Sequence, residues 1–355
     1  MGRPANPILE AVMFRTSVSI FGWCLVGATL LPLLRFDAWW IRIFDFPRQQ
    51  IFFLIALILP VLHFWVAPEK SSDGLLAAAL VACLIYQAYR MYPYTPLASA
   101  QAKPPGRASD RLRLMTANVL MDNRKSGELL SLIENVDPDI VFLVETDAWW
   151  ADQLKPLRQH YPHYLEHPLE NTYGLVLYSR LELIEPHLRF LIQDDIPSLY
   201  FRIKLPSGSL IDLYAIHPRP PVPGEHHRST ERDAELLVVG KQVKEANRPA
   251  LVFGDLNDVA WSHTTHLFQR ISGLLDPRIG RGIFATFHAQ IPLLRWPLDH
   301  VFFSDDFRLA EMRVLPGVGS DHFPVLIEVS FEPEGAHQQE ECRTTHDLLI
   351  KSQMD

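Results

Sequence analysis

Cysteine is scarce in this sequence. Only three of its 355 residues are cysteines, Cys24, Cys83 and Cys342, and none lies between Pro104 and Glu341. That stretch therefore carries neither a disulfide framework nor the paired cysteines of a zinc site. Any metal ion held there has to use oxygen or imidazole ligands. Three cysteines without a paired spacing indicate neither an oxidising nor a reducing compartment.

A surplus of positive charge is also missing. The formal net charge is −8 at pH 7, and the stretch from Gln101 to Glu334 carries that same net charge by itself. Proteins that bind nucleic acid usually present a basic surface, because binding releases the counterions condensed on the phosphates. The composition therefore disfavours nucleic acid as a partner.

Long apolar runs are confined to the first hundred residues. Three of them, Phe14 to Leu34, Ile51 to Ala67 and Gly74 to Tyr89, come near the ~17 to 25 residues that a helix needs to cross a bilayer. They are apolar on all helix faces, and Trp and Tyr residues, which favour the headgroup region, lie near their ends. We predict three transmembrane helices and thus a multi-pass protein of the cell membrane. The alternative is a buried helical hairpin in a soluble domain.

The orientation in the membrane is left open by the sequence. With three helices, the loop after the first helix lies on the same side as the C-terminal domain, and that side holds more Lys and Arg. This charge bias favours a cytoplasmic domain. Asp37 and Asp45 accompany the arginines of the loop, however, and a structured interfacial segment is the alternative.

Composition divides the chain into four segments. Residues 1–95 form the membrane region, 96–110 a linker rich in Pro, Ala and Ser, 111–332 a folded domain, and 333–355 a polar tail. Within the domain, runs such as "DIVFLVE" and "ALVFGDLN" predict strands, whereas "GELLSLIENV" and "GEHHRSTERDAELLVVGKQVKEA" predict helices. Strands outnumber helices, which favours an α/β fold, a four-layer sandwich of two mixed β-sheets flanked by helices.

Polar residues follow the predicted strands or precede the last of them. Each alone has an ordinary explanation as a turn residue, a helix-start acid or a half-buried histidine. Together they are improbable as accidents, because strand-end loops are where a rigid sheet presents catalytic groups. These residues are Asn118, Glu145, His217, Asp255, Asn257, Asp321 and His322.

The stretches "TANVL", "FLVE", "GDLND", "PLDHVFFS" and "GSDHFPVLIEV" resemble, in order and spacing, the motifs of the endonuclease/exonuclease/phosphatase superfamily. That superfamily includes deoxyribonuclease I, inositol polyphosphate 5-phosphatases and sphingomyelinases. The resemblance spans about Leu112 to Phe331 and implies metal-dependent hydrolysis of a phosphate ester. With its apolar N-terminal runs, the chain also resembles bacterial membrane members of the family, which implies a lipid-linked substrate and an extracytoplasmic domain.

A metal site is implied by the same resemblance. Glu145 is expected as the principal ligand, with Asn118 beside it and Asp321 nearby. The expected ion is Mg²⁺, with Mn²⁺ as the alternative, because hard divalent ions prefer oxygen ligands.

The resemblance further implies five catalytic residues. His322 is expected as the general base, and Asp299 as the carboxylate that orients it. Asp255 is expected to position the nucleophile or to bind a second ion. His217 and Asn257 are expected to contact the scissile phosphate. Arg219, which follows in "PRPP", is expected to bind the same phosphate; the alternative is a solvated surface arginine.

Two departures from the family pattern bear on the substrate. Many nucleases of the family have an acid where this chain has Leu120, and another where it has Tyr178, Ser179 and Arg180. Both losses are compatible with a single metal ion, but they put duplex cutting in doubt. We therefore expect a membrane-anchored phosphoesterase that acts on a phosphodiester, phosphomonoester or pyrophosphate of a lipid-linked or other small substrate. The alternatives are a membrane-tethered nuclease and a catalytically silent membrane scaffold. The intact carboxylate-rich set argues against the scaffold.

Overall fold

The computed structural model describes residues 7–66, 71–106, 110–336 and 338–339. The chain divides into two compact units, Met1–Pro93 and Tyr94–Asp355. Most of the polar tail predicted from residue 333 lies outside the described residues.

The first unit is helical. Apolar side chains from its three long helices, among them Leu25, Ile55 and Leu80, pack into one buried cluster. The helices are α1 (Pro7–Leu30), α2 (Trp39–Arg42), α3 (Arg48–Val61), which continues in a π-helical turn, Leu62–Val66, and α4 (Ser71–Met91).

Two stretches of helix are long and apolar enough to cross a membrane, Leu9–Leu34 and Asp73–Tyr94. They contain the first and third predicted spans. The second predicted span differs, because Trp39–Asp45 and Arg48–Phe64 meet at an angle of 69°. Pro47 lies at the break, where its missing amide N–H interrupts helical hydrogen bonding. The described residues thus hold two candidate spans, or three if the bent pair counts as one.

The second unit contains two β-sheets. The first has the order β10-β11-β1-β2-β4-β3 and the second the order β5-β6-β7-β8-β9. In both, one neighbouring pair is parallel, β1 with β2 and β7 with β8, and the other pairs are antiparallel. The strands are β1 (Arg111–Asn118), β2 (Ile140–Val144), β3 (His163–His167), β4 (Leu175–Ser179), β5 (Ile184–Arg189), β6 (Ser198–Lys204), β7 (Leu210–Ala215), β8 (Ala250–Asp255), β9 (Asp299–Phe303), β10 (Phe307–Val314) and β11 (Val325–Phe331).

The two sheets pack face to face with helices outside. Their inner faces form the largest apolar cluster, in which the rings of Phe142 and Phe253 meet edge to face with centroids 5.5 Å apart. Helices α5 (Ser126–Val136) and α6 (Ala148–Gln153) cover the outer face of the first sheet. Helices α7 (Thr230–Ala246) and α8 (His263–Ser272) cover that of the second. The predicted four-layer α/β sandwich is therefore confirmed.

One predicted helix is shorter than expected. The helix expected from Gly224 begins at Thr230, and the residues before it form turns. Gly224 has a φ of +96°, which no residue of a right-handed helix adopts.

The second unit includes the segment predicted as a linker, residues 96–110, and also Tyr94 from the end of the predicted membrane region. Tyr94 is 1% exposed, and its hydroxyl donates to the Ala260 carbonyl at 2.7 Å. Within the predicted linker, the Gln101 Oε1 accepts from the Asp276 amide at 2.8 Å. The second unit thus begins before the first strand.

Candidate active site

Strand ends from both sheets meet in one cluster of polar side chains. Asn118 is the last residue of β1 and Asp255 the last of β8. The Asn118 Nδ2 donates to the Asp255 Oδ2 at 3.1 Å and to the Glu145 Oε1 at 2.6 Å. Glu145 follows β2, the parallel neighbour of β1, and so lies at the same edge. One carboxamide therefore holds two carboxylates together.

The backbone at this edge is strained. Glu145 has a φ of +61° and Asn257 a φ of +50°, in the left-handed region that costs a non-glycine residue roughly 1–3 kcal/mol. Gly254 has a φ of +134°, and a Cβ there would lie 2.0 Å from the Ile216 carbonyl oxygen, so only glycine fits. Strain of this kind clusters at functional sites, where the surrounding structure maintains it.

Two histidines face the carboxylate of Asp255. The Nε2 atoms of His217 and His322 lie 3.8 Å and 3.6 Å from its Oδ2. The Asp255 Oδ1 accepts from the Asn257 amide at 2.9 Å, and the Asn257 Nδ2 donates to the Pro218 carbonyl at 3.0 Å. Asp255 therefore lies at the centre of the cluster.

His322 is held by an aspartate on its other side. Its Nδ1 lies 2.8 Å from the Oδ2 of Asp299, the first residue of β9. Its main-chain amide donates to the Ser320 Oγ at 3.0 Å, and that hydroxyl donates to the Asn118 carbonyl at 2.8 Å. The imidazole is thus fixed in position, with Nε2 directed toward Asp255.

Burial raises the pKa of two carboxyl groups of the site, those of Glu145 and Asp255. It raises the pKa of Glu145 to about 7, against the hydrogen bond from Asn118, and the charges of Asp255 and Asp321 add to the rise. Burial likewise raises the pKa of Asp255, against the nearby His322, while the charge of Asp299 adds to the rise. These carboxylates need more positive charge than the described side chains supply.

The two histidines shift in opposite directions. Burial lowers the pKa of His217 to about 4, so its ring is neutral at pH 7. For His322 burial acts in the same sense, but the charges of Asp299 and Asp255 outweigh it and raise the pKa to about 10. A neutral imidazole and a charged one therefore face the same carboxylate.

The cluster fits a hard divalent ion. Ligand atoms of Asp255, Asp299 and His322 lie within 4.8 Å of one another. The Asp299 Oδ1 is buried, and no hydrogen-bond partner for it occurs in the described part of the chain. Glu145 adds a second carboxylate beside this group, and the Asn118 Nδ2 faces it, while the Asn118 Oδ1 accepts from the Leu120 amide at 3.0 Å. A buried oxygen set with no cysteine suits Mg²⁺ or Mn²⁺.

Two predicted residues lie at the margin. Asp321 is half-buried, and its charge raises the pKa of both Glu145 and His322, which places it near them. Arg219 donates from Nη2 to the Asp195 Oδ2 at 2.6 Å and packs over the Tyr173 ring at 5.4 Å. Arg219 is therefore on the rim and bound to an acid, although the sequence predicts a phosphate ligand.

Several supporting residues were not predicted. Ser320 lies inside the "GSDH" motif, but the sequence gives no sign that its hydroxyl joins the His322 amide to the Asn118 carbonyl. Arg232 of α7, 2% exposed, donates to the Asn257 carbonyl at 2.7 Å. The His300 Nε2 lies 2.8 Å from the Asp258 carbonyl. Arg232 gives no sequence signal, since it lies in a charged helical stretch, whereas His300 stands next to Asp299 in "PLDH".

A two-sheet sandwich that presents an aspartate–histidine pair, further buried carboxylates and amide groups at one edge has the architecture of a metal-dependent phosphoester hydrolase. The comparison with family models makes this specific. Residues 115–322, more than half of the chain, match the model of the endonuclease/exonuclease/phosphatase family. The chain belongs to this family, whose members are metal-dependent hydrolases of phosphoester bonds.

Solved structures agree on the fold. An endonuclease/exonuclease/phosphatase from Beutenbergia cavernae is 19% identical to this chain with a TM-score of 0.52. The match covers 63% of this chain and 72% of the Beutenbergia cavernae chain. Danio rerio TDP2, complexed with a single strand DNA product, is 19% identical with a TM-score of 0.51, covering 62% and 99%. The human Nocturnin catalytic domain with bound sulfate is 19% identical with a TM-score of 0.50, covering 62% and 94%. No curated protein sequence matches significantly.

Proposed function

We propose that this chain is a membrane-anchored phosphoesterase that depends on Mg²⁺, with Mn²⁺ as the alternative, and hydrolyses a lipid-linked or other small phosphate ester. The observation that carries the proposal is the convergence of His217, His322 and Asn118 on one carboxylate oxygen of Asp255. The two or three apolar helices support the anchoring.

The metal ligands are Glu145, with Asn118 beside it and Asp321 nearby. When bound there, the ion supplies positive charge to the phosphoryl oxygens. His322 keeps its proton because of the nearby carboxylates, and a positive charge held at Glu145 would offset them and lower the pKa of that imidazole. His322 would then lose its proton near neutral pH.

Proton transfer is assigned to the His322 and Asp299 pair. Asp299 holds the Nδ1 side of the ring, so Nε2 is the atom that accepts a proton from the attacking water. Asp255 lies 3.6 Å from that Nε2 and is placed to orient the same water.

Phosphate contact is assigned to His217 and Asn257. The neutral His217 ring donates one hydrogen bond, and the Asn257 carboxamide donates through Nδ2. Arg219 reaches the phosphate only after leaving Asp195, so we propose it as a rim contact for a larger headgroup.

A membrane-tethered nuclease is the second candidate, and the DNA product bound by Danio rerio TDP2 favours it. The net charge of −8 argues against it, since the stretch that contains the site has no basic surplus to bind a polyanion. A catalytically silent scaffold is disfavoured, because buried carboxylates with raised pKa values destabilise a fold that has no use for them.

The test is a substrate panel. The full chain, purified in detergent and stripped with EDTA, is supplied with Mg²⁺, Mn²⁺ or Ca²⁺. It is then offered a phosphatidyl ester, a polyprenyl pyrophosphate, bis-p-nitrophenyl phosphate and single-stranded DNA. We expect Mg²⁺-dependent hydrolysis of a lipid or small ester that exceeds DNA cleavage. Preference for DNA would favour the nuclease, and no hydrolysis of any member would favour the scaffold.

A further inference from the structure

A turn beside the proposed active site exposes apolar side chains. Residues 289–294, with the sequence "AQIPLL", are named here the apolar loop. Leu293 is 81% exposed, Ile291 42% and Leu294 41%. Three large, exposed apolar side chains thus lie within four residues of one turn, which differs from the scattered single exposures that any soluble surface shows.

The apolar loop is firmly attached to the site. Its Ala289 amide donates to the Asp321 carbonyl at 2.6 Å, and the His288 amide donates to the Leu294 carbonyl at 2.8 Å. Just before the loop, the Phe287 ring packs against His322 with centroids 4.9 Å apart. The exposed tip is therefore held next to His322 by the same contacts that shape the site.

The chain enters the catalytic unit at this same edge. The buried Tyr94 bonds to the carbonyl of Ala260, which lies three residues after Asn257. Met91 ends α4, and the three residues to Tyr94 reach at most about 11 Å when fully extended. The chain therefore enters the catalytic unit three residues after the end of α4, which belongs to a candidate span.

Charge around the apolar loop suits a membrane with anionic lipids. Although the chain is acidic overall, no Asp or Glu occurs from Pro277 to Leu298. Arg295 follows the loop directly, packs over the Phe323 ring at 4.9 Å and donates to the Ala289 carbonyl at 3.1 Å. An apolar tip with a basic flank is the pattern of segments that lie in the headgroup region.

We propose that the apolar loop inserts into the interfacial layer of the bilayer that anchors the protein, and so presents the active site to phosphate groups at headgroup depth. The inference rests on the membrane anchoring proposed above. Because the helices already hold the unit at the membrane, insertion is an intramolecular step, and a small patch is sufficient.

The test measures lipid contact instead of catalysis. The full chain, with Cys24, Cys83 and Cys342 replaced by serine, receives Leu293→Cys, is labelled with bimane, and is placed in nanodiscs of phosphatidylcholine and phosphatidylglycerol. Acyl chains brominated near the headgroup serve as the quencher. The control is Leu210→Cys, because Leu210 is 40% exposed and begins β7, whose other end leads to His217.

We expect brominated lipid to quench the label at position 293 at least two-fold while leaving the label at position 210 unchanged. Equal quenching at both positions, or none at 293, overturns the proposal. A blue shift at 293 that appears without quenching indicates contact with a second copy or another protein surface and also overturns it.

Failure of the underlying assumption is distinguishable from failure of the proposal. Carbonate extraction of cell membranes shows whether the chain is integrated. A chain that is extracted overturns membrane anchoring and this inference together. An integrated chain with an unquenched label at position 293 overturns only the insertion of the apolar loop.

Discussion

At the scale of single residues, the predicted role of Glu145 is tested by the change that removes its charge and keeps its shape. In Glu145→Gln the side-chain oxygen still accepts from the Asn118 Nδ2, so the local geometry survives. A neutral amide does not offset the charge of a divalent ion as a carboxylate does. We therefore expect the Mg²⁺ concentration for half-maximal rate to rise at least ten-fold, together with a loss of rate. An unchanged Mg²⁺ titration would transfer the metal to the Asp255 and Asp299 group.

The proposed role of His322 predicts a loss of turnover without a loss of metal affinity. His322→Ala removes the proton acceptor but leaves Glu145 and Asn118 in place, so metal affinity should change little. Turnover should fall on the order of 10²-fold or more, the usual contribution of a positioned base. Rates measured against Mg²⁺ concentration decide, and a fully active variant would leave Asp255 as the better candidate for activating water.

Asp299→Asn is the graded control for His322. The amide still meets the imidazole but no longer favours its charged form, so the loss of turnover should be smaller than in His322→Ala. The acidic limb of the pH–rate profile should move toward lower pH, because the charge of Asp299 raises the pKa of His322. A purely structural role for Asp299 would lower activity without moving that limb.

At the scale of elements, helix α7 contains a buried acid that predicts pH-dependent stability. Glu235 is 3% exposed, and burial raises its pKa to about 8, with Arg189 opposing the rise. A carboxyl whose folded pKa lies above its unfolded value stabilises the fold fully below the unfolded pKa of about 4.5, and that stability is lost as pH rises through about 8. The native chain should therefore lose stability between pH 5 and 9.

Glu235→Gln removes this dependence. Each pKa unit corresponds to ~1.4 kcal/mol of stability. The melting temperature of the variant, relative to that of the native chain, should therefore be several degrees higher at pH 9 than at pH 5. Glu245→Gln, an exposed position on the same helix, is the matched control and should follow the native chain. Parallel curves for the native chain and Glu235→Gln would mean that Arg189 keeps the carboxylate ionised.

Strands that are buried along their length were predictable from sequence, including β9 at a sheet edge, and the partly exposed edge strands β3 and β5 were not. Strands β2 and β8 are buried along their whole length, so they appear as apolar runs with polar residues after them. Strands β3 and β5 close the edges of the two sheets and are partly exposed along their length, so no apolar pattern marks them. Edge strands are specified by their pairing partner, which lies elsewhere in the chain.

The residues of the site were also predictable only in part. The motif residues could be located, because each follows or precedes a recognisable strand. The pairing of Arg219 with Asp195, the bridge from Ser320 to Asn118, and the bond from Arg232 to Asn257 could not. These contacts join residues far apart in sequence, and only the packing of two sheets and a helix brings them together.

At the scale of the whole molecule, the number of spans determines where the two ends lie. Two spans place the N-terminus and Asp355 on the same side of the membrane, whereas three place them on opposite sides. Hydropathy and length predict three spans, and the distribution of Lys and Arg then predicts a cytoplasmic Asp355. Reporters active only on one side, fused separately to each end, check this. Alkaline phosphatase activity at the Asp355 fusion would overturn the charge argument and favour the orientation implied by the family resemblance.

The independence of the catalytic unit depends on where it is cut. A fragment from Tyr94 to Asp355 should fold without the helices, because both sheets and all site residues lie within it. A fragment starting at Pro104 loses the buried Tyr94 ring and the Gln101 bond to Asp276. Burial of one large side chain contributes ~1.5–3 kcal/mol, so the shorter fragment should melt roughly 5–10 °C lower.

Tyr94→Phe in the longer fragment separates the two contributions. It keeps the ring against Trp261, with centroids 5.8 Å apart, and removes only the hydroxyl bond to the Ala260 carbonyl. That bond is worth about 1 kcal/mol, so this variant should melt between the two fragments. Calorimetry of all three proteins measures the order. If both fragments melt at the same temperature, residues 94–103 are a tether and not part of the fold of the catalytic unit.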